Sequence, residues 1–304
     1  MKILITGGTG LLGRPLCHQL RQAGHEPLVV SRSAVAARTR LGPGIEVVQW
    51  QPGRERLPLK ALDGVGALIN LAGENIGAGR WTVSRKEAIL SSRVDTTRAL
   101  VEAVRGLSNR PEVLISGSAV GYYGPHGNEE LTETAPPGTD FLARVCQAWE
   151  EEAYKATQLG MRVVTLRTGI VLSREGGSLS RMVLPFRCYL GGPLGSGKQW
   201  LSWVHLDDTL EIIRFALEQP TLQGPINVTA PHPVRQEDFA AALGQVLKRP
   251  SWLRVPGVIL RAGLGEMAEM LLTGQRVIPA RLVTAGYRFR YPSLGDALKD
   301  LVGG

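Results

Sequence analysis

The chain has 304 residues, of which 43% are hydrophobic and 20% are charged, and its formal net charge is +8. A chain of this length can bury one large core, or a domain together with a smaller one. The basic residues are dispersed and no nucleic-acid motif interleaves them with aromatic residues, so nucleic acid is not expected as a partner. No apolar stretch is long enough to span a membrane and no signal peptide is indicated.

The first predicted element is a short apolar strand that runs into Gly7, Gly10 and Gly13, with a helical pattern directly after them. In a dinucleotide-binding turn the first glycine allows the tight turn, the second lets the backbone touch the pyrophosphate, and the third lets the helix pack on the strand. Free N–H groups at the helix start then face the phosphate charge. An apolar strand at 28–30 completes a βαβ unit. The predicted cofactor contacts in this turn are Gly7, Thr9, Gly10, Leu11, Leu12 and Gly13.

The end of the second predicted strand indicates which dinucleotide is bound. An NAD site carries an acidic residue here that holds the ribose hydroxyls, whereas this chain has Ser31, Arg32 and Ser33. A guanidinium donates two hydrogen bonds to a phosphate. The sequence therefore predicts NADP(H), with Arg32 as the 2′-phosphate anchor and Ser31 beside it.

Strand and helix patterns alternate through the first two thirds of the chain. Further strands are predicted at 46–49, 67–71, 113–116 and 162–166, and amphipathic helices at 86–105 and 141–158. Short, almost wholly apolar strands are typical of a parallel sheet that helices cover on both faces. The pattern predicts an α/β fold with a doubly wound parallel (Rossmann) sheet and a ligand crevice at the carboxyl ends of its strands.

After about residue 170 the elements become shorter and glycine and proline cluster. The pattern predicts a helix at 208–217 with Asp207 as its N-cap, a strand at 226–229, a helix at 236–247, apolar helices beyond Pro256 and a closing strand at 287–291. We predict an NADP(H)-binding domain over 1–170, with a returning segment near 200–230. A smaller C-terminal α+β substrate lobe is predicted over 171–304, and it ends in a family-specific segment at about 250–304.

Several short motifs follow the glycine turn in a fixed order. They are Asn70-Leu71-Ala72-Gly73-Glu74, the serine motif at 116–124, Arg167-Thr168-Gly169 and Trp203-Val204-His205-Leu206-Asp207-Asp208. This order resembles the extended short-chain dehydrogenase/reductases of the NAD(P)-dependent epimerase/dehydratase family. Gly274-Gln275-Arg276-Val277-Ile278-Pro279 makes the chain similar to epimerase-family proteins once described as cell-division inhibitors. The resemblance covers nearly the whole chain.

The resemblance implies a role for each motif. Ser118 matches the serine that hydrogen-bonds the substrate oxygen, and His205 lies in the segment that links the substrate lobe to the core. The backbone of one set passes the cofactor ribose and diphosphate: Asn70, Leu71, Ala72 and Gly73. A second set, at the end of the sixth sheet strand, approaches the nicotinamide: Arg167, Thr168 and Gly169.

The acid/base pair of the family, Tyr-x-x-x-Lys, is missing. In that pair the lysine lowers the tyrosine pKa from about 10. In this chain Leu142 stands at the position of the tyrosine and Cys146 at the position of the lysine. Tyr122 or Tyr123, which follow Ser118, is the candidate replacement phenol. Without a lysine such a phenol is a poor base, so carbonyl reduction is expected to exceed alcohol oxidation. The next candidates are His205, Cys146 and a bound water.

The segment 192–198 has the spacing of a phosphate-binding P-loop but lacks its hydroxyl, because Gln199 stands where Ser or Thr is needed. We expect a glycine-rich loop over the substrate pocket instead, with Lys198 as an anion contact.

His205, Asp207 and Asp208 have no further ligands near them in the sequence, so no metal site is predicted. Cys17, Cys146 and Cys188 lack CxxC spacing and are odd in number, which is typical of reduced thiols in a cytoplasmic protein.

Two functions stay open from the sequence. The first is an NADP(H)-dependent oxidoreductase or epimerase that acts on a small carbonyl or hydroxyl compound, such as one resembling a nucleotide sugar. The second is a non-catalytic sensor or regulatory protein that binds NADPH, because the usual acid/base pair is absent. Both predict a small-molecule partner, and neither indicates an oligomeric state.

Overall fold

Seven parallel strands form the central sheet of the computed structural model, which describes residues 1–303. In chain order the strands are β1 (Lys2–Thr6), β2 (Glu26–Ser31), β3 (Glu46–Gln49), β4 (Val65–Asn70), β5 (Val113–Ala119), β6 (Glu130–Leu131), β7 (Arg162–Thr168), β8 (Ile170–Leu172), β9 (Trp200–Leu201), β10 (Trp203–His205), β11 (Gly224–Val228), β12 (Val234–Arg235) and β13 (Arg276–Val277). The central sheet has the order β11-β7-β5-β4-β1-β2-β3. The reversal beside β1 creates a crevice at the carboxyl ends of the strands.

Helices cover both faces of this sheet, which confirms the doubly wound fold. They are α1 (Gly13–Gln22), α2 (Ala34–Leu41), α3 (Val83–Arg105), α4 (Phe141–Tyr154), α5 (Gly177–Arg187), α6 (Leu206–Glu218), α7 (Gln236–Leu247), α8 (Gly257–Leu264), α9 (Glu269–Leu272), α10 (Ala280–Thr284) and α11 (Leu294–Val302). Ile3 and Ile5 of β1 pack in one core cluster with Leu16 of α1, whereas Leu4 packs in another with Leu100 of α3. Successive side chains therefore enter opposite layers, as strand geometry requires.

Three small two-stranded sheets accompany the central one: β8 with β10, β9 with β12, and β6 with β13. A third core cluster joins helices α5, α7 and α11 beside them. The strand β11 returns from this region to the edge of the central sheet, where it pairs with β7. The division of the chain at residue 170 stays a prediction. None of the helices within residues 1–303 is long and apolar enough to cross a membrane.

The predicted closing strand at 287–291 is wrong, because this segment has no strand partner in the part of the chain described. The Asp208 carboxylate accepts the backbone N–H groups of Arg290 and Tyr291 at 2.8 and 2.9 Å, and the Tyr287 hydroxyl at 3.1 Å. A single carboxylate therefore satisfies backbone groups that a strand ladder would otherwise bond.

The loop between β4 and α3 lies over the crevice and is tied to later parts of the chain. Arg80 donates hydrogen bonds to the carbonyl oxygens of Ala262 and Gly263, which lie in the last turn of α8. Arg181 of α5 donates to the carbonyl of Gly77 at 2.8 Å. The loop thus connects the end of β4 with α5 and α8.

Candidate cofactor and active site

The glycine turn between β1 and α1 uses its three glycines for different purposes. Gly7 has a φ of +69°, and a Cβ there would lie 2.5 Å from the carbonyl oxygen of Leu71. A Cβ on Gly13 would lie 2.2 Å from the carbonyl oxygen of Gly7. Among the described residues, a Cβ on Gly10 would meet only the Gly7 oxygen, at 3.2 Å. The fold therefore requires glycine at 7 and 13, whereas at 10 its small size keeps the backbone open to a ligand.

The start of α1 is free to bind an anion. Its N-cap residue, Leu12, makes no side-chain capping hydrogen bond, and the first turn contains no acidic residue. Unsatisfied N–H groups and the helix dipole at such an end favour negative charge. This end faces the turn at Gly10, so the geometry fits the diphosphate of a dinucleotide.

A crevice of about 460 Å³ begins at this turn and runs past the end of β2. Its lining comprises Thr6, Gly7, Gly8, Thr9, Val30, Ser31, Arg32, Trp50, Pro52, Leu71, Ala72, Gly73, Glu74, Ala88, Ser91, Ser92, Asp95 and Thr96. The lining carboxylates are paired elsewhere, Glu74 with Arg85 at 2.9 Å and Asp95 with Arg98 at 3.4 Å. Within residues 1–303 the exposed Arg32 forms no ion pair. Its charge is therefore available to a ligand phosphate.

The end of β4 contributes backbone rather than side chain to the crevice. Asn70 is fully buried, its Oδ1 accepts from the Thr6 hydroxyl at 2.6 Å and its Nδ2 donates to Thr97 at 2.7 Å. This network fixes the strand end beneath the glycine turn. Leu71, Ala72 and Gly73 then line the crevice.

Ser118 lies at the carboxyl end of β5 and is bonded to a buried ion pair. Strand register sets Ser118 of β5 opposite Arg167 of β7. The Ser118 hydroxyl donates to Oε1 of Glu150 at 2.6 Å, and Nε and Nη2 of Arg167 donate to the two Glu150 oxygens at 2.9 Å each. Burial lowers the pKa of Arg167, but the bonds and charge of Glu150 outweigh it, so the pKa rises. The Arg167 guanidinium is therefore committed to protein partners, since its Nη1 also donates to the Tyr123 hydroxyl and to the Glu133 carbonyl at 3.1 Å each. None of the three residues 167–169 belongs to the crevice lining.

The two tyrosines after Ser118 occupy different environments. Tyr123 is fully buried, and its hydroxyl donates to Oδ1 of Asn227 at 2.6 Å and accepts from Arg167 at 3.1 Å. Burial raises the pKa of Tyr123 to about 12. Tyr122 is half-buried, and the Arg167 guanidinium lies 3.4 Å from its ring centroid. Tyr123 is therefore held as part of the packed core, whereas Tyr122 keeps access to solvent.

Leu142 and Cys146 of α4 face the segment 116–124 that carries Ser118, which we call the serine loop. The tyrosine and lysine of the family's acid/base pair would face it in the same way. A Cβ on Gly121 would lie 3.3 Å from Cβ of Leu142 and 3.9 Å from Sγ of Cys146. Burial raises the pKa of Cys146 to about 12, with the Glu150 charge as the next cause. The thiol is therefore protonated near neutral pH and cannot act as a base.

Lys198 and His205 do not belong to the lining of the crevice. Exposed Lys198 lines a separate cleft of about 510 Å³ together with Trp200 and Arg235. His205 is buried and borders another cleft, of about 480 Å³, which it shares with Thr9, Gly10 and Leu11. Burial lowers the pKa of His205, although nearby carboxylates oppose this.

His205 also replaces Asp207 as the predicted N-cap of α6. The helix begins at Leu206, and Nδ1 of His205 accepts the backbone N–H of Asp207 at 3.0 Å. The prediction of Asp207 was wrong because the helix starts at Leu206, two residues before the predicted start at 208. Among residues 1–303 no group of three His, Cys, Asp or Glu side chains is arranged to hold a metal ion.

Glu150 and Arg93 were missed by the sequence reasoning. Glu150 follows Cys146 by four residues on a buried helix face, and a carboxylate at such a position needs a buried partner. Arg93 of α3 lies against Gly73, donates to the carbonyls of Ile89 and Glu74, and forms no ion pair within the described chain. Burial lowers the pKa of Arg93, whose charge lies close enough to Cys146 to interact with it. Arg93 thus places a cation near the position of the missing lysine.

The parallel sheet, the glycine turn and the open helix start define a dinucleotide-binding protein of the Rossmann class. Residues 3–229 match the NAD dependent epimerase/dehydratase family, and the chain belongs to that family. Residues 255–301 match a domain described only as one of unknown function.

The relatives extend over nearly the whole chain. Epimerase family protein YfhF of Bacillus subtilis is 39% identical over 99% of this chain and 98% of its own. The crystal structure of human epimerase family protein SDR39U1 with NADPH is 36% identical, covers 99% of both chains and has a TM-score of 0.88. UDP-glucuronic acid 4-epimerase from Bacillus cereus has a TM-score of 0.80 at 17% identity, a likeness of fold alone.

Proposed function

We propose that the protein binds NADP(H) in the crevice and is an oxidoreductase or epimerase of small carbonyl or hydroxyl compounds. The observation that carries the proposal is Ser118, whose hydroxyl is fixed by a buried carboxylate at the carboxyl edge of the sheet. Such edges hold the ligand in doubly wound folds. Gly10, the start of α1 and Arg32 would hold the diphosphate and the 2′-phosphate, and the bound cofactor supplies hydride chemistry. The human relative crystallised with NADPH supports this cofactor.

A screen of unlabelled metabolites that follows NADPH absorbance tests the activity. We expect turnover of at least one carbonyl or hydroxyl compound, and Ser118→Ala should abolish it while NADPH still binds. Ser180→Ala, an exposed position on α5, is the matched control and should retain activity. Turnover that survives Ser118→Ala would contradict the assignment of Ser118.

A non-catalytic NADPH sensor is the second candidate function. The observation that favours it is the pair Leu142 and Cys146, which face the serine loop without an ionisable group at neutral pH. A sensor would bind NADPH and turn over no compound in the same screen. Robust Ser118-dependent turnover would remove this candidate.

Cofactor preference gives the first specific prediction. Arg32→Ala should lower the affinity for NADPH by about ten- to a hundredfold, because one charge-assisted phosphate contact contributes about 1.5–3 kcal/mol. The affinity for NADH should stay unchanged, since NADH lacks the phosphate. Calorimetric titration measures both, with Arg40→Ala as a control on an exposed arginine outside the crevice lining. Equal wild-type affinities for NADPH and NADH would show that Arg32 does not select the cofactor.

The phenol after Ser118 gives the second prediction. Tyr122→Phe should slow carbonyl reduction at least about tenfold without weakening NADPH binding, because general-acid groups contribute about 10²–10⁴-fold. Tyr123→Phe should instead lower the stability, since it removes the donor to Asn227 and an acceptor of Arg167. Steady-state rates and thermal melts separate the two effects. An unchanged reduction rate in Tyr122→Phe would exclude this phenol as the proton donor.

We also propose a reducing compartment, the cytoplasm, for this protein. Cys17 and Cys146 are buried, Cys188 is exposed, and all three are free thiols. Reducing compartments preserve such thiols. Alkylation of a fresh cell extract should therefore label Cys188 without prior reduction, and a Cys188 that is labelled only after reduction would contradict the proposal.

A further inference from the structure

The single proton of the Ser118 hydroxyl already takes part in a hydrogen bond to Glu150. Oε1 of Glu150 lies 2.6 Å from Oγ of Ser118. The same carboxylate accepts two hydrogen bonds from Arg167, at 2.9 Å each. A carboxylate held by a guanidinium fork is ionised and can only accept. Ser118 must therefore be the donor of this bond.

A serine hydroxyl that already donates its one hydrogen bond can only accept a hydrogen bond from a ligand, through its lone pairs. A carbonyl oxygen has no hydrogen to bring to these lone pairs, whereas a hydroxyl has one. We propose that Glu150 makes Ser118 a hydrogen-bond acceptor, so that the site takes its substrate as the hydroxyl compound and Glu150 receives the proton. This inference rests on the proposed function, because it names the substrate form that the same site would bind.

The surroundings of Glu150 favour this role over a purely stabilising one. The side chains of Glu150 and Arg167 are only 5% and 4% exposed, and a buried ion pair is often no more stabilising than apolar residues of the same volume. Glu150 lies four residues after Cys146, one helical turn beyond the place of the missing lysine. A base therefore reaches the serine from the same helix that usually carries the acid/base pair of the family.

The proton balance of the step involves three oxygens. The O–H bond of the substrate hydroxyl breaks, and its proton passes to Oγ of Ser118. The original Ser118 proton passes to Oε1 of Glu150, which becomes a neutral carboxyl group while the substrate becomes an alkoxide. Arg167 keeps the carboxylate oriented through its fork. The sequence-based expectation that reduction exceeds oxidation assumed that no such base exists, and Glu150 removes that assumption.

Neutron diffraction from crystals of the deuterated, NADPH-bound protein tests the orientation directly. We expect the Ser118 deuteron on the line to Oε1 of Glu150 and no deuteron on Glu150. A Ser118 deuteron directed elsewhere, or a deuteron on Glu150, would overturn the inference. This measurement needs no turnover, so it stands even if the screen for activity finds no substrate.

Ligand preference provides the second test. Saturation-transfer NMR on the NADPH-bound protein compares the binding of secondary alcohols with the binding of the corresponding ketones. Each alcohol is paired with the ketone of the same carbon skeleton, from 2-propanol and acetone to cyclohexanol and cyclohexanone. The wild type should favour the alcohols by about three- to tenfold, which is the effect of one hydrogen bond, and Ser118→Ala should remove the preference. A Ser118-dependent preference for ketones, or no Ser118 dependence, would overturn the inference.

Glu150→Gln adds a reversal to this test. Its amide can donate to Ser118 and release the hydroxyl proton, so the preference should move from alcohols to ketones. Glu152→Gln is the matched control, since Glu152 lies on the same helix but pairs with Arg98 and Lys155, and it should keep the wild-type preference. An alcohol preference that persists in folded Glu150→Gln protein would overturn the role of Glu150. If that variant does not fold, the neutron measurement decides.

Discussion

Gly10→Val should abolish NADPH binding in a protein that still folds. The backbone at Gly10 does not have a positive φ, and within residues 1–303 a Cβ there would approach only the Gly7 oxygen, at 3.2 Å. A branched side chain there projects where the diphosphate must touch the backbone. We expect the affinity measured by calorimetry to fall at least about 100-fold, equivalent to roughly 2.7 kcal/mol.

A second glycine variant makes this result specific. Gly13→Ala introduces a Cβ 2.2 Å from the Gly7 oxygen and 2.6 Å from Cα of Gly8, so it should lower the thermal stability as well as the binding. Gly106→Ala, at a glycine with a φ of −84° and with no atom of residues 1–303 within 4 Å of its Cβ position, should leave NADPH affinity unchanged. Unaltered NADPH affinity in folded Gly10→Val protein would reject the diphosphate site at this turn.

Arg167→Met should destabilise the protein by about 3–5 kcal/mol, because it leaves the Glu150 carboxylate buried without its partner. The same change removes the donor to the carbonyl of Glu133, 3.1 Å from Nη1 of Arg167. Unfolding in urea, followed by circular dichroism, measures the free energy.

The double variant Arg167→Met with Glu150→Leu should recover most of this loss, since it removes both charges together. Glu150→Leu alone should be as damaging as Arg167→Met, because an unpaired guanidinium is then buried. If the two single losses simply added in the double variant, the pair would not be coupled and the ion-pair account would fail.

The fold could be predicted because its determinants are local. The strand, Gly7, Gly10, Gly13 and the helix after them are consecutive in the chain, and each requirement can be checked within a few residues. The strand at 46–49 and the helix at 236–247 were predicted with the bounds that the structure shows.

Side-chain pairs between distant elements could not be predicted in this way. Glu150 and Arg167 meet because α4 packs on a sheet in which Ser118 lies opposite Arg167, and no spacing in the sequence states that register. In α3 the steps of four and three residues that join Leu90 to Val94 and Thr97 predict Leu90 on the buried face. In the structure Leu90 is 37% exposed and Ile89 is fully buried. Adjacent apolar residues leave the helix face undetermined within one position.

The closing segment at 287–291 shows a second limit. Its alternation of aromatic and charged residues has the period of a strand, yet a strand also needs a neighbour with free backbone groups. Asp208, about eighty residues earlier, supplies the acceptors instead. Local period and local propensity therefore predict an element only where no remote side chain takes over its hydrogen bonds.

The strand β13 limits where this chain can be truncated or fused. It pairs with β6 next to the serine loop, Val277 packs with Tyr123, and the carbonyl of Ile278 accepts from Asn227, which also holds the Tyr123 hydroxyl. The matched segment of unknown function is thus interleaved with the residues around Arg167 and is not a detachable module. A rearrangement that separates residues 255–301 from the rest would remove part of the packing around Tyr123 and Leu131, so a truncated or fused protein has to keep the two portions together to stay folded.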